Sequence, residues 1–162
     1  IDREITKAVE KIENRFGGIQ LKKGINGLNI IDATYSANPD GVLAHLEYLK
    51  TFTGKKIIVM PCLIELGRAS KEVHRRIGEK IAEVCDLAII TTKDRFKEIK
   101  ETAGGKARFL ENPKTIFEKI RDFCKEGDEL RSSSPFANAR VGDVVLLESR
   151  VPNNLMNLLV KE

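Results

Sequence analysis

Short apolar runs alternate with amphipathic stretches along most of this chain. The runs at 28–31, 56–60 and 87–91 are apolar almost throughout, which predicts strands that are covered on both faces. Over 39–51 and over 70–84, apolar residues recur at helical spacing and polar residues fill the other positions. This alternation predicts an α/β fold: a Rossmann-like, doubly wound, mainly parallel sheet with helices on both faces.

The second half of the chain continues the pattern. Its predicted elements are helices over 95–102, 113–126 and 152–160 and strands over 108–110 and 144–147. Ser70 is expected to cap the helix that follows it, and the core stripe of that helix is expected to contain four residues, Val73, Ile77, Ile81 and Val84. Residues 129–140 show no period and predict a long loop.

The N-terminal part adds a strand pair to this sheet. Residues 19–23 and 28–32 flank a Gly-Ile-Asn-Gly turn, and an Asn-Gly pair between β-prone runs predicts a hairpin. Residues 1–14 place apolar side chains on one helical face and predict a short amphipathic helix. The chain opens on Ile1 and not on Met, so we expect it to be a piece of a longer polypeptide.

The stretch from Ile30 to Gly41 is the candidate site. An apolar strand ends at Asp32, a small polar loop follows, and Asn38-Pro39 is suited to cap and open a helix. Such a strand-loop-helix junction lies at the carboxyl end of the sheet, where a helix N-terminus presents free N–H groups that suit phosphate. The alternative from spacing alone is that Asp32 and Asn38 only cap and stabilise the turn.

Composition restricts the class of protein. With 162 residues, 41% of them hydrophobic and 32% charged, the chain is expected to form one soluble domain in the cytoplasm, without a membrane span or a signal peptide. The net charge of +4 is spread among 24 acids with few aromatics, which predicts no nucleic-acid partner. The three cysteines are widely spaced and the chain has two histidines, so we expect reduced thiols and no metal site.

Three ordered motifs resemble the C-terminal domain of the Mur ligases. They are Ile-Asp-Ala-Thr-Tyr-Ser-Ala-Asn-Pro-Asp at 31–40, Ile-Ile-Val-Met-Pro-Cys-Leu-Ile-Glu-Leu-Gly at 57–67 with His74 and Gly78 beyond it, and Gly-Asp-Val-Val-Leu-Leu-Glu-Ser-Arg at 142–150. The resemblance is closest to the branch that adds D-alanyl-D-alanine, and the chain is identified as a divergent member. It implies a linker or helix from a missing central ATPase domain over 1–18 and the C-terminal domain over 19–162.

The resemblance also implies an activity. Mur ligases are ATP-dependent amide ligases of peptidoglycan precursor synthesis, and this domain is expected to close over the nucleotide and help bind the incoming amino acid or D-Ala-D-Ala. ATP and Mg²⁺ would be bound mainly by the missing central domain, since this chain has no Gly-x-x-x-x-Gly-Lys-Ser/Thr loop, so the isolated domain is expected to be inactive and to hold no catalytic residue of its own. The implied partners are UDP-MurNAc-peptide, the incoming amine substrate and the rest of the same chain.

The motifs assign candidate residues by resemblance. The expected nucleotide-binding residues are Asp32, Tyr35, Ser36 and Asn38. The expected substrate-binding residues are Glu65, His74, Ser149 and Arg150. For His74 the alternative is a surface histidine, since Val73 and Ile77 already define a core face, and for Glu65 it is a turn-stabilising acid.

The chain departs from the family pattern at several of these positions. Ala33 replaces the second acid of the first motif, residues 61–63 replace a Gly-Asp-Met, and Glu148 stands where a glycine is usual. Two other functions stay open: a ligase domain like those of folylpolyglutamate or cyanophycin synthetases, and a non-catalytic nucleotide-binding or interaction module.

Overall fold

The computed structural model describes residues 19–35, 38–126 and 142–160. The strands are β1 (Gln20–Lys23), β2 (Asn29–Ala33), β3 (Lys56–Met60), β4 (Leu87–Ile90), β5 (Ala107–Phe109) and β6 (Val144–Glu148). The helices are α1 (Pro39–Leu49), α2 (Ser70–Val84), α3 (Phe96–Ala103), α4 (Pro113–Lys125) and α5 (Leu155–Val160). The predicted helix over 1–14, Ser36 and the predicted loop over 129–140 lie outside the described residues.

The six strands form one sheet in the order β1-β2-β6-β3-β4-β5. β1 pairs antiparallel with β2, as the Asn-Gly turn predicted, and all the other neighbours are parallel. The mainly parallel, doubly wound sheet predicted from the sequence is therefore confirmed. The carboxyl ends of β2, β6, β3, β4 and β5 meet at one edge of the sheet, which we call the carboxyl edge.

Two apolar layers cover the sheet. On one face, α1, α2 and α3 pack against side chains such as Ile31, Ile58 and Ala88. On the other face, α4 and α5 pack against side chains such as Ile30, Ile57 and Val145. Residues adjacent in one strand thus alternate between two buried layers, which is why the strands are apolar throughout.

The prediction for α2 was wrong about the cap and did not include one buried residue of the core stripe. Ser70 is not the cap, because a 3-10 turn at Gly67–Ala69 leads directly into the helix and puts Ala69 at the N-cap position in helical geometry. Val73 is partly buried and packs against the core, as predicted, and the fully buried His74 lies beside it in the same stripe. The stripe extends to His74 because α2 packs on both α1 and α3 as well as on the sheet.

In the described part of the chain, no helix has the length and apolar character needed to cross a bilayer. Nor do the described residues include a group of three or more His, Cys, Asp and Glu side chains placed to hold a metal ion.

Candidate functional site

The topology of the sheet places a crevice at the carboxyl end of β6. The chain leaves β2 and β3 toward the face that carries α1 and α2, but it leaves β6 toward the face that carries α5. β6 lies between β2 and β3 in the sheet, so the loop after it diverges from both neighbouring loops. In open α/β sheets, ligands bind outside the carboxyl ends of the strands at such a switch point.

The loop between β2 and α1 is held by Asp32. The Asp32 carboxylate accepts hydrogen bonds from Lys22 Nζ at 2.8 Å, from Thr34 Oγ1 at 2.6 Å and from the Thr34 N–H at 3.1 Å. Burial acts to raise the pKa of Asp32, but the hydrogen bonds from Lys22 and Thr34 outweigh it and lower that pKa overall. Asp32 is therefore ionised at neutral pH and shapes the turn that leads toward the switch point.

Tyr35 and Asn38 belong to the same loop. Asn38 Oδ1 accepts a hydrogen bond from the Gly41 N–H at 2.8 Å, and Pro39 is the first helical residue, so the predicted cap is confirmed. The Tyr35 side chain is 87% exposed. The ring of Tyr35 is thus accessible to a ligand at this edge, whereas the contacts of Asp32 and Asn38 are those of turn and cap residues.

The loop after β6 begins in a strained conformation. Ser149 has φ of 59°, in the left-handed region that residues other than glycine rarely adopt, and its N–H donates to the Ala33 carbonyl at 3.1 Å. Arg150 follows it and is exposed. Backbone strain of this kind, which costs on the order of 1–3 kcal/mol, clusters at ligand sites. The Ser149–Arg150 loop lies directly beside the end of β2.

The loop after β3 is hydrogen-bonded to the loop after β4 and to α2. The Cys62 N–H donates to Thr92 Oγ1 at 2.8 Å, and the Leu63 N–H donates to His74 Nε2 at 2.9 Å. Ile64 and Glu65 are exposed beyond these bonds, and Glu65 has φ of 61°. This loop therefore presents Glu65 at the same edge as Tyr35 and Arg150, from the opposite side of β6.

His74 lies beneath this loop and is not a surface residue. Its side chain is fully buried, and Nδ1 lies 2.6 Å from the Ser70 carbonyl oxygen, to which it donates. Nε2 then accepts the Leu63 N–H, which makes His74 the neutral tautomer with its proton on Nδ1. Burial lowers the pKa of His74. In this structure His74 holds the loop that presents Glu65.

The sequence analysis missed one residue of the site region, His45 of α1. Its Nδ1 lies 2.7 Å from Oε2 of Glu148, the last residue of β6, and the Glu148 side chain is completely buried. Glu148 stands in the third motif where a glycine is usual. An acid at the end of an otherwise apolar strand was a signal that a polar side chain would lie close enough to hydrogen-bond with it. Nothing in the local pattern of α1 singled out His45.

The carboxyl edge is an open surface of exposed loops. A cavity of about 220 Å³ lies at the opposite edge of the sheet, where Leu28 precedes β2 and Asp143 precedes β6. It is lined also by Ile120 of α4. That cavity is therefore separate from the predicted site.

Comparison with known proteins identifies the family. Residues 15–149 match the model of the Mur ligase, glutamate ligase domain. A curated relative, the UDP-N-acetylmuramoyl-tripeptide–D-alanyl-D-alanine ligase of Haemophilus influenzae, is 30% identical over 79 residues, which are 49% of this chain and 17% of the relative. The chain therefore spans 17% of the length of this curated relative.

Solved structures show the same fold. The MurF ligase of Thermotoga maritima in complex with ADP is 27% identical, with a TM-score of 0.57 over 81% of this chain and 26% of that one. A MurF of Acinetobacter baumannii is 20% identical, with a TM-score of 0.63 over 86% of this chain and 28% of that one. The match to the domain model, the curated relative and the shared fold together show that this chain belongs to the Mur ligase family and corresponds to its glutamate ligase domain.

Proposed function

We propose that this chain is the C-terminal domain of an ATP-dependent Mur-type amide ligase of peptidoglycan precursor synthesis, acting in the cytoplasm. In this role it closes over a nucleotide bound by another domain and helps to seat the incoming amine. One observation carries the proposal: the loops that bear all three sequence motifs emerge at one edge of the sheet, around the switch strand β6.

The division of labour follows from what the chain contains. In such a ligase, ATP phosphorylates a carboxylate of the substrate, and an amine then displaces the phosphate. The sequence has no Gly-x-x-x-x-Gly-Lys-Ser/Thr loop, and the described residues contain no cluster suited to Mg²⁺. We infer that ATP and Mg²⁺ are held mainly by another domain, and that this domain is inactive alone.

Each side of the switch point has a proposed role. On the β2 side, Tyr35 contacts the nucleotide, Asn38 orders the first turn of α1 whose free N–H groups face it, and Asp32 fixes their loop. The predicted nucleotide contact of Ser36 is part of the same proposal. On the side of β6 and β3, Arg150 and Glu65 face the amine substrate, because an arginine fork binds carboxylates in two-point contacts and an acid binds ammonium groups. Ser149 and His74 position these two residues through the backbone.

The substrates are proposed from the relatives. The curated relative is named for joining D-alanyl-D-alanine to UDP-N-acetylmuramoyl-tripeptide, and a structural relative was solved with ADP. We propose the same class here: a UDP-MurNAc-peptide as acceptor, and D-Ala-D-Ala or a single amino acid as the amine. Phosphate release by the full-length protein, measured with D-Ala-D-Ala, L-glutamate and a panel of other amines, tests the choice. No release above background with any amine would contradict it.

Nucleotide contact at the β2 side is tested by Tyr35→Ala in the full-length protein. Because Tyr35 is 87% exposed, its removal is expected to leave the thermal unfolding temperature unchanged. ADP affinity is expected to fall about threefold to tenfold through the loss of an aromatic contact. Calorimetric titration with ADP measures it. Unchanged affinity would remove Tyr35 from the nucleotide site.

The chain offers a matched pair of capping variants for the same loop. Asn38 caps α1 and Asn112 caps α4, and each is followed by a proline. Replacing either asparagine by alanine is expected to cost about 1 kcal/mol of stability. Asn38 lies beside the switch point, whereas Asn112 follows the edge strand β5. ADP affinity is therefore expected to fall in Asn38→Ala and to stay unchanged in Asn112→Ala. Equal effects in the two variants would mean that the loss comes from stability alone.

A further inference from the structure

An acid is buried beneath α1 at the end of the switch strand. Glu148 is fully buried, and its Oε2 accepts a hydrogen bond from His45 Nδ1 at 2.7 Å. Its other oxygen, Oε1, has no hydrogen-bond partner among the residues that the structure describes. Glu148 directly precedes Ser149 and Arg150, so this half-satisfied carboxylate lies immediately beneath the Ser149–Arg150 loop.

Among the residues that the structure describes, His45 is the ionisable group that contacts Glu148. On this face of the sheet the neighbouring strands present Ala33 and Met60, both apolar, while Asp32 points to the opposite face. From α1, Tyr48 packs against the same apolar cluster one turn beyond His45. Burial raises the pKa of Glu148, and the hydrogen bond and charge of His45 oppose that rise.

When Glu148 is ionised, this arrangement costs stability. A buried carboxylate with an unpaired oxygen carries a desolvation penalty that a single hydrogen bond does not fully offset. Since the pKa of Glu148 is higher in the folded chain than in the unfolded chain, its contribution to stability is present at acid pH and is lost as pH rises through the folded value. A buried polar group that lowers stability next to the carboxyl edge, where the candidate site lies, indicates a role in function.

We propose that His45 and Glu148 are positioning residues of the site, whose charge-assisted hydrogen bond fixes α1 against the end of β6. His45 lies about two turns into α1, whose first turn belongs to the proposed nucleotide loop. Glu148 leads into the Ser149–Arg150 loop of the proposed amine side. The pair thus fixes the position of these two loops relative to each other. The identity of the ligands rests on the proposed function, but the coupling between the loops does not.

Protonation of Glu148 removes the charge assistance and loosens this link. The full-length protein is assayed for kcat and for KM toward D-Ala-D-Ala between about pH 5.5 and about pH 8.5, as wild type, Glu148→Gln and His45→Gln. At the alkaline end we expect KM to rise about tenfold in both variants, with kcat within about twofold of wild type. Because burial raises the pKa of Glu148, KM in the wild type is expected to rise as Glu148 becomes protonated, and this rise is expected to be absent in Glu148→Gln.

A matched control is Glu98→Gln, which neutralises another buried glutamate; Glu98 lies on α3 and is paired with Arg95, the residue before that helix. This variant is expected to keep the wild-type KM profile. Wild-type KM values in Glu148→Gln at every pH, or the same rise in Glu98→Gln, would overturn the proposal. Thermal unfolding of each variant shows whether the fold is retained, and His45→Gln tests the link from the α1 side if Glu148→Gln does not fold.

A second measurement does not depend on ligase activity. In NMR titrations of the 162-residue chain, the amide signals of Ser149 and Arg150 and those of the first turn of α1 are expected to shift together with pH, with one midpoint. That common shift is expected to vanish in Glu148→Gln. Independent titration of the two loops, or a common shift that persists in the variant, would overturn the positioning role. An inactive wild-type enzyme with a common shift would contradict only the proposed function.

Discussion

Replacing His74 by alanine is expected to lower the free energy of unfolding by about 3–5 kcal/mol, since the change leaves a cavity and a buried N–H without its acceptor. His74 is 0% exposed, and its Nε2 is the acceptor of the Leu63 N–H. Urea denaturation of the 162-residue chain measures the loss. Glu79→Ala, at an exposed position of the same helix, is the control and is expected to change stability by less than about 0.5 kcal/mol.

The same histidine is expected to make stability depend on pH. Protonation of Nε2 would turn it from an acceptor into a donor facing the Leu63 N–H, and burial already lowers the pKa of His74 below its ordinary 6.5. Because the unfolded chain then binds the proton more readily, this contribution to stability is present above pH 6.5 and is lost as pH falls through the lower folded value. A wild-type chain whose acid unfolding midpoint equals that of His74→Ala would contradict this account.

Gly78→Ala is expected to destabilise the chain by about 2–3 kcal/mol, even though alanine favours a helix by about 1 kcal/mol over glycine. A Cβ at residue 78 would lie 2.6 Å from the Ile99 carbonyl oxygen and would also collide with Thr102 Oγ1. The Ile99 contact is with backbone, so α2 and α3 must separate to accommodate the methyl group. Thermal unfolding of the variant measures the effect.

Gly105→Ala provides the matched control for this substitution. A Cβ at residue 105 meets nothing within 4 Å, and the backbone there is not in the left-handed region. The same chemical change is therefore expected to be neutral or to stabilise by up to about 1 kcal/mol. If both alanine variants were neutral, the close approach of α2 to α3 would not be a feature of the protein in solution.

Local patterns predicted most of the secondary structure. Asn38-Pro39 and Asn112-Pro113 each open a helix, as their capping chemistry indicated, and the Asn-Gly turn joins β1 to β2. Caps and tight turns depend on residues that are close in sequence, so a short stretch of the chain is enough to predict them. The three motifs, taken together and in order, also predicted the family, which the domain match confirms.

The predictions for individual side chains at the candidate site were less complete. The sequence predicts a substrate contact or a surface position for His74, whereas in the structure His74 is fully buried and its Nε2 accepts a hydrogen bond from the Leu63 N–H. Ser70, expected as a cap, instead accepts a hydrogen bond from Arg95 Nε at 3.0 Å. For His74 the deciding partner comes from another segment of the chain, and for Ser70 the preceding 3-10 turn moves the cap position; helical spacing reports neither.

The sequence by itself determined the parallel α/β architecture, the two proline-backed caps and the membership of the family, because each follows from periodicity or from short motifs. Only the tertiary structure decided that β6 inserts between β2 and β3, and so brought Glu148 beneath α1 and within reach of His45. The residues of that pair are 103 positions apart. Strand order is set by how all the helices pack on the two faces of the sheet, and no single stretch of the chain encodes it.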